Sequence, residues 1–173
     1  LRAALMEANS DATRDEIIIP AGTYTLSLAI SIYSDDAGAD LDISQPVILT
    51  GAGAGVTIID ANGIDRVLEI YRDAVNSKLQ GITFTGGYLV GDYGGGISSY
   101  PDNMVIENCE ITGNTIVQDT DAAIGGGLYL EGNTAALKNV SITYNKLIAA
   151  STATTFKLYG GGAMISLSGQ RAP

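Results

Sequence analysis

Positively charged and imidazole side chains are scarce in this sequence of 173 residues. It contains no histidine, and nine lysines and arginines stand against 19 aspartates and glutamates, so the formal net charge is −10. A protein that binds nucleic acid or an anionic membrane needs the opposite balance of charge. We therefore expect neither of these partners.

The sequence also has a single cysteine, no tryptophan and no long apolar run. Cys109 is the single cysteine, so the chain has no disulfide of its own, and we expect it to be a small inert core residue. No stretch approaches the ~20 apolar residues of a membrane-spanning helix, so no membrane span is predicted. The chain starts at Leu1 without an initiator methionine or signal peptide, and we expect it to follow residues that were removed or are not included.

Glycine, by contrast, is abundant, and it marks an internal repeat. Residues 94–97 read Gly-Gly-Gly-Ile and lead into Glu-Ile-Thr-Gly-Asn at 110–114; residues 125–128 read Gly-Gly-Gly-Leu and lead into Ser-Ile-Thr-Tyr-Asn at 141–145. The third glycine and the final asparagine are 18 positions apart both times (114 − 96 and 145 − 127). A third glycine triplet begins at Gly160. Such a repeat predicts a solenoid, in which each unit buries its apolar face against its neighbours.

Within the repeat, apolar and polar residues alternate with a period of two. This is the pattern of a strand with one buried face, and helical spacing does not fit it. The inward columns are Leu79/Ile106/Leu137, Ile82/Cys109/Val140 and Phe84/Ile111/Ile142, and the outward columns are Gln80/Glu107/Lys138 and Thr83/Glu110/Ser141.

Asparagine and glycine recur between the predicted strands. Both tolerate a left-handed backbone, and stacked asparagine side chains can hydrogen-bond to one another. Strand, corner and strand, repeated in this way, predict an all-β fold: a right-handed parallel β-helix (solenoid) of about five to six coils. The residues assigned to structural corners are Asn108, Asn139, Asn114, Asn145, Gly95, Gly126 and Gly161.

Inserts of six, ten and fourteen residues (88–93, 115–124 and 146–159) follow the same predicted corner in successive repeats. We expect them to be loops stacked on one side of the rod, either as tolerated surface loops or as a binding face. Their apolar character favours contact with one another, with the rest of the chain or with a partner. The predicted interface residues are Tyr88, Leu89, Tyr93, Ile116, Val117, Leu147, Ile148, Phe156, Leu158 and Tyr159.

The chain is predicted to be a single domain, residues 1–173, with the coils in residues 16–169. Residues 1–10 have apolar side chains at the spacing of a short amphipathic helix, which we expect to cap the N-terminal end of the solenoid. No such helix is predicted at the C-terminal end. We therefore expect that the rod continues or that something else covers that end.

Two N-terminal segments resemble a known family. Residues 1–9 read Leu-Arg-Ala-Ala-Leu-Met-Glu-Ala-Asn and residues 17–24 read Ile-Ile-Ile-Pro-Ala-Gly-Thr-Tyr. Together they resemble the N-terminal segment of CSLREA-domain proteins, which are secreted or surface β-helix proteins of the pectate-lyase-like superfamily, although Ala3 stands where that family has glutamate. The glycine-rich repeats are also similar to those of polymorphic outer-membrane proteins. The resemblance implies the fold and a secreted, extracellular or cell-surface location, but no particular activity.

Enzymes with β-helix folds carry recognisable catalytic groups that this sequence lacks. The only match to a polygalacturonase-type signature is the pair Asp35-Asp36, which lies in a predicted loop. Glu107 and Glu110 face outward but form no pair of carboxylates suited to glycoside hydrolysis. We therefore expect no enzymatic activity.

An acidic loop offers the best candidate for metal binding. Asp35, Asp36 and Asp40 could supply oxygen ligands to calcium, although solvated acidic turns are the simpler interpretation and no EF-hand or nonapeptide calcium pattern is present. No other cofactor is expected.

Two functional hypotheses follow. The first is a non-enzymatic extracellular or cell-surface module, structural or adhesin-like, that associates with copies of itself, assembles into filaments or continues into more of its own chain. The second is a polysaccharide-active lyase or hydrolase, or a carbohydrate-binding β-helix, whose partner is a cell-surface or matrix polysaccharide. A sugar groove would need aromatic platforms and paired carboxylates on the outward strand faces. The outward columns identified above carry Gln, Glu, Lys, Thr and Ser, which favours the first hypothesis.

Overall fold

The computed structural model describes residues 1–28, 39–118, 123–149 and 158–168, and within these ranges it contains one short helix and twenty strands. The helix α1 spans Arg2–Ala8. The strands are β1 (Asp15–Ile19), β2 (Gly22–Thr25), β3 (Leu41–Ile43), β4 (Val47–Gly51), β5 (Thr57–Asp60), β6 (Leu68–Ile70), β7 (Lys78–Gln80), β8 (Thr83–Thr85), β9 (Tyr88–Val90), β10 (Ile97–Ser99), β11 (Met104–Glu107), β12 (Glu110–Thr112), β13 (Thr115–Gln118), β14 (Ala123–Ile124), β15 (Leu128–Gly132), β16 (Ala135–Lys138), β17 (Ser141–Thr143), β18 (Lys146–Ala149), β19 (Leu158–Tyr159) and β20 (Ala163–Leu167).

Three parallel sheets of five strands form the walls of a solenoid. The first sheet has the order β1-β4-β7-β11-β16, the second β2-β5-β8-β12-β17 and the third β3-β6-β10-β15-β20. The chain visits the three sheets in turn, and the five strands of each sheet span about four turns. The predicted parallel β-helix is therefore confirmed, and it has about four turns where five to six coils were predicted.

The predicted register of the repeat is confirmed residue by residue. Ile106 pairs with Leu79 on one side and with Leu137 on the other. In the second sheet, Ile111 pairs with Phe84 and with Ile142. A shift of one residue would have turned every apolar side chain outward, so burial of one face excludes such a shift.

The core is a set of apolar side chains stacked inside the three walls. Phe84, Ile106 and Ile111 are completely buried. Cys109 lies in the same interior with 2% of its surface exposed, its thiol donates a hydrogen bond to the Glu107 carbonyl oxygen at 3.3 Å, and burial raises its pKa. The prediction that this cysteine lies in an inward column is confirmed.

Asn114 and Asn145 form a ladder of asparagine side chains inside the solenoid. Asn114 is fully buried; its Oδ1 accepts a hydrogen bond from the Gly87 N–H at 2.8 Å, and its Nδ2 donates to Asn145 Oδ1 at 2.9 Å. The Asn145 Nδ2 donates to the carbonyl oxygen of Ile111 at 2.9 Å. Asn114 and Asn145 were assigned to corners, but the left-handed residues are the ones just before them, Gly113 and Tyr144.

A second ladder of asparagine side chains lies on the surface, at the corner between the first and second sheets. Asn108 and Asn139 have φ values of 52° and 51°, and the exposed Asn139 Nδ2 donates to Asn108 Oδ1 at 2.9 Å. In the glycine triplets, the left-handed residue is the first glycine, as in Gly94. The second glycine serves another purpose: a Cβ on Gly126 would lie 2.4 Å from the Gly161 carbonyl oxygen of the next coil.

The sequence suggested that the inserts are loops. In the structure, each insert instead begins as a strand. The strands β9, β13 and β18 form a fourth parallel sheet, and β14 pairs with β19. They do stack on one side, as expected, because each insert leaves the solenoid at the same corner. The first residues of each insert pair with those of the neighbouring inserts, so that their backbone N–H and C=O groups are hydrogen-bonded.

The helix α1 closes the N-terminal end of the solenoid. Leu5 and Ala8 belong to the buried core cluster, and the helix lies against β3. Its Arg2 guanidinium donates to the carbonyl oxygens of Ala39 and Asp40, and Asn9 just after the helix donates to that of Asp42. Side chains of the helix region therefore occupy backbone acceptors that another coil would otherwise use.

We expect Ile111→Ala to lower the free energy of unfolding by about 3 kcal/mol, because it opens a cavity between Phe84 and Ile142. Thr112→Ala on the outer face of the same strand should cost within about 0.5 kcal/mol. Urea unfolding of both variants measures the difference. Equal losses would contradict the assignment of faces.

We expect Asn114→Ala to cost about 2–3 kcal/mol, because it leaves the buried Gly87 N–H and the Phe84 carbonyl oxygen without their amide partner. Asn139→Gly is the matched control: it keeps a left-handed corner, removes an exposed amide pair and should cost less than about 1 kcal/mol. The same unfolding measurement tests both. A larger loss for Asn139→Gly would show that the outer ladder is the one that matters.

Candidate functional site

The outer face of the third sheet differs in chemistry from the other two sheets. The outward residues of its strands pair in the order Asp42, Glu69, Ser98, Tyr129 and Met164. The first and second sheets instead present the short polar columns found in the sequence. Aromatic rings and carboxylates therefore share one wall of the solenoid.

Three tyrosines with rings in contact (Tyr93, Tyr100 and Tyr129), together with Tyr71 at the end of β6, make up a surface that we call the tyrosine face. The ring of Tyr129 lies 5.0 Å from that of Tyr93 and 5.8 Å from that of Tyr100, between ring centres. The Arg72 guanidinium carbon is 5.6 Å from the centre of the Tyr100 ring, within range of a cation–π contact. Tyr71 is 38% exposed and Tyr93 is 36% exposed, so part of the cluster is open to a ligand.

Arg66 joins the tyrosine face to the first insert. Its side chain is only 5% exposed, and it forms ion pairs with Glu69 at 2.8 Å, Asp92 at 2.8 Å and Asp40 at 3.4 Å. Its Nε also donates to the carbonyl oxygens of Tyr93 and Gly94 at 3.2 Å. One buried guanidinium therefore holds the insert against the third sheet.

The carboxylates around Arg66 outnumber the positive charge. Asp40, Asp42 and Glu69 each have a carboxylate oxygen within 4.8 Å of the others. Burial raises the pKa of Asp40 to about 7, although the attraction of Arg66 opposes the shift. Burial also raises the pKa of Asp42 to about 6, with repulsion from Glu69 adding to the effect. Both carboxyl groups therefore bind a proton more readily than an ordinary aspartate does.

The structure describes only one of the three residues in the calcium prediction. Asp35 and Asp36 lie outside the described residues, and Asp40 lies with Asp42 and Glu69. In that trio the Arg66 guanidinium supplies positive charge through contacts with two of the three carboxylates. A cation at Asp40 would compete with this arginine. Calcium binding at Asp40 remains a prediction.

Two shallow grooves border the tyrosine face. One, of about 530 Å³, lies between α1 and the third sheet, and is lined by Met6, Asn9, Asp42, Ser44, Gln45, Tyr71 and Asp73. The other, of about 230 Å³, is lined by Arg72, Tyr100, Asp102, Glu131, Gly132, Asn133 and Ser168. Tyr71 lines the first groove and Tyr100 lines the second, each among polar side chains.

The predicted interface residues of the inserts divide between two faces of the fourth sheet. Leu89, Ile116 and Leu147 stack through the register and face inward, with Ile116 fully buried. Tyr88 and Ile148 are exposed, by 44% and 45%, and Val117 is half-buried. Tyr93 is part of the tyrosine face. Phe156 and the side chains of Leu158 and Tyr159 lie outside the described part of the molecule.

The sequence interpretation missed the tyrosine face because it covered only two of the three walls. The signal is present: three successive segments of this wall have a tyrosine at an outward position. Residues 68–71 read Leu-Glu-Ile-Tyr, 97–100 read Ile-Ser-Ser-Tyr and 128–131 read Leu-Tyr-Leu-Glu. Alternation applied to these segments would have placed their tyrosines outward.

Comparisons with known proteins add no family to this description. No family model, no curated protein and no solved structure matches the chain. The resemblance to CSLREA-domain proteins therefore stays a prediction. None of the helices in the described ranges is long and apolar enough to cross a membrane.

We expect the free energy of unfolding to fall by about 4 kcal/mol as the pH rises from about 5 to 8, about two pKa units from Asp40 and one from Asp42. The folded-state pKa values of Asp40 and Asp42, about 7 and about 6, exceed the ordinary pKa of an aspartate, 3.8. The folded state therefore binds more protons than the unfolded state in this window, and no histidine titrates there. Urea unfolding at several pH values measures the slope.

Asp40→Asn should flatten this pH dependence, because it removes the group with the higher of the two pKa values. Asp102→Asn is the control, since hydrogen bonds from Asn133 lower the pKa of Asp102 and its titration lies below the window. Stability that rises with pH between 5 and 8 in the unmodified protein would contradict the raised pKa values.

Proposed function

We propose that this chain is a non-enzymatic β-solenoid module, extracellular or at a cell surface, that binds carbohydrate through the tyrosine face. The observation that carries the proposal is the ring cluster of Tyr93, Tyr100 and Tyr129 on the same wall as Tyr71, whose hydroxyl lies beside Asp42 and Glu69. Aromatic rings offer flat apolar surfaces to the C–H faces of sugar rings, and the polar groups beside them can bond to hydroxyls. The structural or adhesin-like role then lies in the scaffold.

The charge around the tyrosine face limits the class of carbohydrate. Asp40, Asp42, Glu69, Asp92 and Glu131 surround it, against the guanidinium groups of Arg66 and Arg72. An anionic polymer such as polygalacturonate would meet this excess of negative charge and would be repelled. The ligand is therefore a neutral or amine-bearing glycan.

The location outside the cell rests on the sequence resemblance, and the binding role rests on the geometry. A sheet wall has an advantage as a glycan platform because its side chains are fixed by strands paired on both sides. Little conformational entropy is then lost when a ligand binds.

Glycoside hydrolysis is the second candidate, favoured by one observation. Asp42, whose pKa is raised to about 6, lies beside Glu69, and the Tyr71 hydroxyl is 3.4 Å from Asp42 and 3.5 Å from Glu69. A protonated acid next to a second carboxylate is a combination that glycosidases use. Against it, Glu69 is already paired with the buried Arg66 at 2.8 Å.

We expect Tyr71→Ala to weaken binding of a neutral or amine-bearing oligosaccharide about tenfold, as for an aromatic anchor at an interface. Tyr88→Ala is the matched control, because Tyr88 is similarly exposed but lies on the fourth sheet. Calorimetric titration with soluble β-glucan and chitosan oligosaccharides measures both affinities. Equal weakening by the two variants, or binding to polygalacturonate alone, would contradict the proposal.

The same oligosaccharides test the hydrolytic candidate. We expect no new reducing ends after prolonged incubation at pH values between about 5 and 7, the range in which Asp42 titrates. Turnover that disappears in Asp42→Asn would replace the binding role by glycoside hydrolysis.

A further inference from the structure

The first groove beside the tyrosine face, between α1 and the third sheet, combines carboxylates with an aromatic ring. Its lining includes Asp42 and Asp73, the ring of Tyr71 and the 67% exposed side chain of Met6. The remaining lining side chains are polar and uncharged, and no described lysine or arginine is among them. Its volume of about 530 Å³ falls within the range of small-molecule sites, about 300–1,000 Å³.

The two carboxylates of this groove have no positive partner among the described residues. Arg66 forms ion pairs with Asp40 and Glu69, but not with Asp42. Neither Asp42 nor Asp73 forms an ion pair with another residue of the described ranges. The groove therefore carries negative charge that a cationic ligand group could neutralise.

The pKa of Asp42 shows the same lack of positive charge. Burial raises this pKa to about 6 and repulsion from Glu69 adds to the shift, while the attraction of Arg2 and Arg66 is too weak to offset them. A cation in the groove would favour the charged form of the carboxyl group.

The oxygens of Tyr71 and Asp42 keep acceptor capacity at the groove. The Tyr71 hydroxyl is 3.4 Å from Asp42 Oδ1, whereas O–H···O hydrogen bonds are usually about 2.7–2.8 Å long. An ammonium group has three N–H donors and no acceptor, while a neutral hydroxyl has one donor and lone pairs that a carboxylate repels. An ammonium group therefore matches these acceptors better than a hydroxyl does.

The walls of the groove are fixed by hydrogen bonds to the backbone. The Asn9 side chain donates to the Asp42 carbonyl oxygen at 3.0 Å and accepts from the Ser44 N–H at 2.9 Å, which ties the end of α1 to β3. The Tyr71 N–H donates to the Ile43 carbonyl oxygen at 2.9 Å. Little conformational freedom is then lost when a ligand enters.

We propose that the first groove is a subsite for the protonated amine of an amino sugar, so that the protein prefers amine-bearing glycans to neutral ones. The ammonium group lies against Asp42 and Asp73 and supplies the missing positive charge, and the sugar ring lies on Tyr71. The inference rests on the proposed function, because the tyrosine face holds the rest of the glycan. It narrows the ligand from two classes to one.

Two oligosaccharides of equal length test the preference: a fully deacetylated chitosan oligosaccharide and its N-acetylated form. They differ only at the 2-amino group, which takes up a proton in the first and is a neutral amide in the second. In calorimetric titrations at a pH of about 6.5, we expect the protein to bind the deacetylated form at least about tenfold more tightly, because charge-assisted hydrogen bonds are the stronger ones.

Asp42→Asn and Asp73→Asn should each reduce this preference by about threefold or more, with little change for the N-acetylated form. Asp73 is exposed, so its replacement tests the inference even if Asp42→Asn fails to fold. Glu16→Gln is the matched control, because it removes one exposed negative charge from β1, on the first sheet. It should leave the preference unchanged.

The outcomes separate this inference from the proposed function. Equal affinity for the two oligosaccharides overturns the inference and leaves glycan binding in place, whereas binding of neither overturns both. A preference that survives both Asp42→Asn and Asp73→Asn also overturns the inference. Tyr71→Ala should weaken both oligosaccharides, while the two aspartate variants weaken only the deacetylated one.

An oligolysine peptide of the same charge tests whether this acidic protein, with a net charge of −10, merely attracts any polycation. We expect the peptide to bind at least about tenfold more weakly than the deacetylated oligosaccharide, because it has no sugar ring to lie on Tyr71. Equal binding of the peptide, with the same loss in Asp42→Asn, would assign the groove to cationic protein segments and overturn the inference.

Discussion

Stacking in register is the constraint on which every other feature of this molecule depends. A strand of three to five residues cannot bury its face alone, and its backbone groups are satisfied only by the coils above and below. Side chains are thereby forced into columns of like kind. Apolar residues stack on apolar residues, and the amides of Asn114 and Asn145 stack on each other in the interior. A polar group enters the core only when its neighbours complete its hydrogen bonds.

The same constraint explains what sequence reasoning could and could not predict. Where the repeat is regular, as at Ile106 and Ile111, equal spacing identified the columns, and the pairing agrees. Spacing failed on the third sheet. Tyr71, Tyr100 and Tyr129 are equally spaced in the sequence, but Tyr129 pairs with Ser98, two positions before Tyr100. The inserts differ in length, so sequence distance and column no longer correspond.

The charged cluster could not be predicted, for a different reason. Glu69 is three residues from Arg66, but Asp40 and Asp92 are each 26 residues away, in a turn and in an insert, and nothing local marks these two as its partners. Only the fold places them around one guanidinium. Burial of an arginine with several carboxylates is costly unless its hydrogen bonds are completed. Here the carbonyl oxygens of Tyr93 and Gly94 do so, and the insert is held in place as a consequence.

The inward faces, the ends and the outward faces of the solenoid are under different constraints, which explains the position of the tyrosine face. Inward columns are restricted by packing, and the ends of the solenoid are restricted by the need to cover the core. An outward column is limited only by its own neighbours, so chemistry can vary there at little cost in stability. On the third sheet, β6, β10 and β15 are each paired on both sides, which fixes the backbone beneath Glu69, Ser98 and Tyr129. A ligand-binding surface built on such strands is held by the same hydrogen bonds that hold the fold.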